Sequence, residues 1–194
     1  MKKFLNVKTI SLILAVILLV GGAVGGTLAW IIDSKTVTNT FTYGDINITL
    51  DESDVDDSTA DKDRDTENTY KMVPGNSYVK DPLVTVLAGS EPCWVFVKLE
   101  ESARFDSYLE YGVIDGWKEL EDEDGVYYVE VTNTTDDVAL YVLEGNTVKV
   151  KDTVTKKMLT DLGTTYPTLK VTAYAVQMAN INTAKAAWDV AKAG

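Results

Sequence analysis

Cys93-Trp94-Val95-Phe96-Val97-Lys98-Leu99 is the stretch that decides the fold class. The residues from Cys93 to Val97 are all apolar, and bulky Trp, Val and Phe side chains suit a pleated, extended backbone. A strand with one wet face would alternate apolar and polar residues. Here both parities are apolar until Lys98, so both faces need cover. The pattern is that of a central strand with material packed above and below it.

Working outward, further strands are predicted on either side. Thr36 to Leu50 alternates, with Val37, Phe41 and Tyr43 on one parity and Ile46, Ile48 and Leu50 on the other. The phase changes at Gly44-Asp45, which marks a bulge or turn. Tyr78 to Leu87 is a strand region made irregular by Pro82. Val126–Val131, Val138–Leu143 and Thr147–Val150 read as strands, with Glu144-Gly145-Asn146 as a hairpin turn between the last two. Thr168 to Met178 is a long final strand. Leu169, Val171, Ala173 and Ala175 lie on one face, and Tyr174, Val176 and Met178 on the other. Val73-Pro74-Gly75-Asn76 has the chemistry of a type II turn.

Helices are predicted to be few and short. Ser102–Tyr111 is one, and Thr155–Leu162 another. The last spans 182–193, with Asn182-Thr183 as its cap and Trp188 as its single large anchor. Asp51–Asn68 has no periodicity and reads as a solvated acidic loop. About seven strands with turn signals between them predict an all-β domain, a jelly roll or β-sandwich with a few peripheral helices.

The N-terminus sets the expected compartment. Lys2, Lys3 and Lys8 precede an apolar run from Ile10 to Val24, followed by the small residues Gly25-Gly26-Thr27-Leu28-Ala29. That order is an export signal, and the run is short for a membrane span of ~20 residues. The expected cut falls between Ala29 and Trp30, giving a signal helix in 1–29 and one β domain in 30–194. The rival reading is an uncleaved anchor extended through Trp30-Ile31-Ile32.

Composition narrows the function. The 194-residue chain carries a net charge of −12, and losing the three lysines of 1–29 takes the remainder to −15. Such a surface repels nucleic acid and anionic membrane. There is no histidine, which excludes HExxH zinc proteases and Ser-His-Asp or Cys-His hydrolases. The single cysteine, Cys93, has no internal disulfide partner and sits where burial is expected. No catalytic set emerges, so the chain does not read as an enzyme, and no cofactor is expected.

Three candidate sites come into view, two from the residues and one from a family resemblance. Asp61, Asp63 and Asp65 copy the start of a calcium loop, but Thr66 stands where Gly is required and Met72 where Glu closes the loop. An EF-hand is therefore not expected; the solvated-loop reading is preferred, with a loose calcium site as its alternative. Asp115, Glu119, Glu121, Asp122, Glu123 and Asp124 form a second acidic patch, read as a turn between a helix and a strand. The third, which the family resemblance given below implies, is the segment Trp30 to Thr40, with Trp30, Ile32 and Val37 as anchors of a strand that adds to another sheet edge. The bland alternative is an ordinary first strand of its own domain.

The ordered set of motifs resembles the TasA/camelysin family of exported proteins from Gram-positive bacteria. The residues that carry the resemblance are Gly25-Gly26-Thr27-Leu28-Ala29-Trp30-Ile31-Ile32-Asp33, Thr38 to Ile48, Val73-Pro74-Gly75-Asn76, Val171 to Gln177 and Ala186-Ala187-Trp188. The resemblance implies a jelly-roll domain and processing by a signal peptidase of the SipW type. It also implies self-association into extracellular biofilm-matrix fibres at or beyond the cell surface, with other matrix or cell-wall components as further partners. In such fibres the N-terminal segment of one subunit completes the sheet of the next. The protease label attached to camelysin does not carry over, because the chain has no histidine. The competing function class is a surface-anchored binding module, or an accessory anchoring protein, that does not polymerise.

Overall fold

A computed structural model describes residues 8, 11–17, 45–55 and 64–193. The chain divides into two units, Met1–Thr42 and Tyr43–Gly194. In the first, residues 11–17 are helical. No helix among the described residues is long and apolar enough to cross a membrane.

The second unit is all-β. Its strands are β1 (Ile48–Ser53), β2 (Arg64–Asp65), β3 (Ser77–Val79), β4 (Leu83–Val86), β5 (Cys93–Glu101), β6 (Leu109–Glu110), β7 (Lys118–Glu119), β8 (Val126–Val131), β9 (Val138–Tyr141), β10 (Thr147–Val150) and β11 (Leu169–Gln177). Among the described residues, three short α-helices accompany them: α1 (Phe105–Tyr108), α2 (Lys156–Asp161) and α3 (Ala184–Ala191). The strands form three antiparallel sheets, ordered β2-β1-β4-β9, β3-β10-β6 and β11-β5-β8-β7.

Strand β5 is central, between β11 and β8, and is covered on both faces. Val95, Val97 and Leu99 point one way and pack with Val84 and Val86 of β4, so two sheets share one core. Trp94 and Phe96 point the other way, under α3, where Trp188 and Ala187 close a second core. Phe96 and Tyr174 meet the Trp188 ring at centroid distances of 5.4 and 5.2 Å. Strand β11 splits as its sequence predicts: Leu169, Val171, Ala173 and Ala175 face the first core, and Tyr174, Val176 and Met178 the second. Helix α3 starts where Thr183 accepts from the Ala186 amide. Cys93 is fully buried, and burial pushes its thiol up to about 11.

Several elements differ from their sequence readings, each for a tertiary reason. The helix expected over Ser102–Tyr111 is a single turn, α1, because Leu109 and Glu110 pair with Val150 and Lys149 of β10. The hairpin expected at Glu144–Asn146 does not form. Gly145 (φ 60°) and Asn146 (φ 54°) turn the chain out of one sheet and into another, so β9 pairs with β4 while β10 pairs with β3 and β6. The second acidic patch contains strand β7, and with β8 it makes a hairpin rather than a helix-to-strand turn. Gly125 is required there: φ is +69°, and a Cβ would lie 2.5 Å from the Leu99 carbonyl oxygen. The acidic loop is shorter than 51–68, because Asp51–Ser53 belong to β1 and Arg64–Asp65 pair with its end.

Candidate functional site

Hydrogen-bond parity identifies which strand edges carry exposed main-chain groups. In an antiparallel ladder, alternate residues turn both N–H and C=O to the same neighbour. The Leu87 amide donates to the Asn47 carbonyl, in register with the β1–β4 pairing. Thr49 and Asp51 therefore face β4, and Ile48 and Leu50 face the opposite edge. The next residue of that parity, Glu52, is paired with Asp65 of β2.

The same reasoning applies to β11. The Met178 amide donates to the Pro92 carbonyl, and the Ser102 amide to the Thr168 carbonyl, both in register with the β11–β5 ladder. Even-numbered residues of β11 face β5. Leu169, Val171, Ala173, Ala175 and Gln177 turn their amides and carbonyls to the other edge, which no strand among the described residues pairs with.

These two edges border one cavity. It has a volume of about 960 Å³ and is lined by Leu50–Glu52 from β1 and Thr168–Val171 around the start of β11. Its floor is apolar, with Phe105, Leu109, Val148 and Val150. The segment from Asp65 to Met72 walls it, and Tyr70 packs edge-on against Tyr78 at 6.0 Å. Val150 and Phe105 are fully or almost fully buried, whereas Leu50, Leu169 and Val171 are only half-buried. The β11 side chains that face the core thus lack the cover that β5 enjoys.

One end of the cavity is polar. Lys80 Nζ lies 2.9 and 3.0 Å from the two carboxylate oxygens of Glu52. The Arg64 guanidinium donates to the carboxylates of Asp51 and Asp81, to both their carbonyls, and to the Ser53 hydroxyl. Burial opposes ionisation of Asp81, but the Ser53 amide and hydroxyl and Arg64 outweigh it and hold the carboxyl below its ordinary range. Sequence reading missed this cluster. Arg64 is the only arginine in an acidic stretch, and that singularity was the available signal.

The sequence-derived sites fare unevenly. Asp65 lies in β2, and its carboxylate accepts from the Asn68 amide at 3.0 Å. Asp61 and Asp63 lie outside the described residues, as do the junction Ala29-Trp30 and the anchors Trp30, Ile32 and Val37. Among the described residues no group of three or more Cys, Asp or Glu is placed to hold a metal ion. Glu123 of the second acidic patch binds Lys192 at 2.7 Å and Lys185 at 3.2 Å. Chiefly through Lys192, its carboxyl is pulled down to about 2. The contact clasps α3 to the β7–β8 hairpin.

The arrangement offers main-chain donors and acceptors from two sheet edges above an apolar floor. Chemically, it can take an extended segment with alternating apolar side chains. Comparisons with protein-family models, curated proteins and solved structures give no match to this chain.

Proposed function

We propose that the chain is a secreted structural protein, a fibre subunit in which a strand passes from one copy to the next. The observation that carries the reading is that, among the described residues, one edge of β11 and the Ile48–Leu50 part of one edge of β1 have no strand partner, and both strands border one apolar cavity. The donor is the segment that starts at Trp30 after signal cleavage, with Trp30, Ile32 and Val37 seated in turn toward the floor. The domain that receives it is a jelly-roll-like sandwich. Export through a SipW-type peptidase would generate the donor end only outside the cell.

The physics of the step is β-augmentation. Each ladder bond contributes about 0.5–1.5 kcal/mol net, and apolar side chains entering the cavity add about 25 cal/mol per Å² of surface removed from water. Strands β1 and β11 approach within 8 Å between Cα atoms. A strand between them needs about 9.6 Å, two inter-strand spacings, so the edges must part to admit it. The surface charge of −15 on residues 30–194 keeps subunits apart until strand capture outweighs their repulsion.

The test compares the chain beginning at Trp30 with one lacking Trp30–Asp33, both incubated at high concentration and viewed by electron microscopy. Fibres are expected only from the longer chain. Undiminished fibres from the shorter one sink the donor assignment. A monomer from both, across pH and with calcium, favours the non-polymerising surface module.

A further inference from the structure

The described part of strand β2, Arg64–Asp65, lies on the edge of β1 that faces the cavity. Arg64 adds side-chain ties to the ladder, spending its N–H groups on Asp51, Asp81 and Ser53. Asn68 adds a second tie, donating to the Ser53 carbonyl at 3.1 Å and accepting from the Val55 amide at 2.8 Å. The tie falls at a definite point of the ladder. Ile48 and Leu50 present their main-chain groups to an edge that no described strand pairs with at those positions, and the next outward-facing residue, Glu52, is already paired with Asp65.

We propose that β2, pinned by Arg64, is a stop: it ends the pairing of an incoming strand along β1 at Leu50 and so fixes the register between neighbouring subunits. The proposal rests on the strand-donation reading above. A lane bounded on one side only would let a strand of alternating apolar residues slip by two residues and keep the same face inward. Slippage by two leaves side-chain parity intact, so parity alone does not forbid it. A fixed stop at Glu52 does. Asp51 and Asp81 neutralise the guanidinium, so the stop presents no net positive charge to the incoming strand.

The experiment is residue-level amide hydrogen exchange on the full chain from Trp30, as monomer and as fibre. In the unaltered chain, the Ile48 and Leu50 amides slow at least about ten-fold on assembly, while the Glu52 amide exchanges at the same slow rate in both states. In Arg64→Ala, Glu52 exchanges faster in the monomer and slows on assembly, because the strand now runs past Leu50. Arg64→Lys, which keeps the charge and loses the fork, gives the same change at smaller amplitude and serves if the alanine variant folds poorly. If Ile48 and Leu50 show no change on assembly of the unaltered chain, strand donation to this edge fails. If they slow but Glu52 behaves identically in Arg64→Ala and the unaltered chain, the stop is overturned and the donation reading stands.

Discussion

Replacing Ala173 with proline separates the two edges of β11 in a single strand. Ala173 turns its amide away from β5, whereas Thr172 donates to the Lys98 carbonyl across the ladder. Proline removes the amide hydrogen and is accepted in sheets where that hydrogen faces no partner. Ala173→Pro therefore breaks no hydrogen bond among the described residues. The cost is the φ restriction and a slightly larger ring in the core, together about 1 kcal/mol. Thr172→Pro removes a ladder bond and leaves the Lys98 carbonyl buried without a donor, about 3 kcal/mol in all. At about 2–4 °C per kcal/mol for a domain of this size, the melting midpoint falls by less than about 4 °C in the first variant and by about 6–12 °C in the second. Circular dichroism melts supply that comparison. Fibre yield from the same samples supplies the other: Ala173→Pro is expected to fold and fail to assemble. If Ala173→Pro melts as low as Thr172→Pro, the Ala173 amide already has a partner within the monomer and the open-edge argument is refuted. If it melts high and assembles normally, the donor does not pair with β11.

Three other outcomes follow from the same geometry. Trp188→Ala empties the second core between α3 and β5 and should cost about 3–5 kcal/mol, read as a lower melting midpoint with release of the C-terminal helix to protease. Native Cys93 should resist alkylation at pH 8 and react only after unfolding, because burial holds its thiol protonated; labelling of the folded chain at the unfolded rate would contradict this. For Asp81, the folded carboxyl sits below its unfolded value, so its contribution is complete above the ordinary carboxylate range and is lost as pH falls through the folded value. Exchange at the Glu52 amide, corrected for intrinsic rate, should therefore speed up below about pH 4; Asp81→Asn should weaken the tie at neutral pH and flatten that response.

What the sequence makes legible is what neighbouring residues decide. The two-sided run at Trp94–Val97 announces a covered strand, and the parity of Leu169–Met178 assigns its faces, because side-chain direction is a property of the strand itself. Pairing is not local. Leu109 and Glu110 have helical neighbours, but β10 recruits them into a sheet. Glu144-Gly145-Asn146 has hairpin chemistry, but its positive φ angles serve a change of sheet. The groove is harder still, since an open edge is defined by the strand it lacks, and that requires the full strand order. The Arg64 cluster joins residues 13 and 17 positions apart, so a composition reading registers acidity and misses the cation that organises it.

Strand β11 turns one edge to no strand among the described residues, and the proposed assembly covers that edge. Residue-level amide exchange on the chain from Trp30, before and after fibre growth, tests it most directly. Val171, Ala173 and Ala175 should exchange quickly in the monomer and become protected in the fibre, while Thr172 and Tyr174 stay protected throughout. Protection of all five in the monomer, or no change at the odd-numbered residues on assembly, would rule out strand donation to β11.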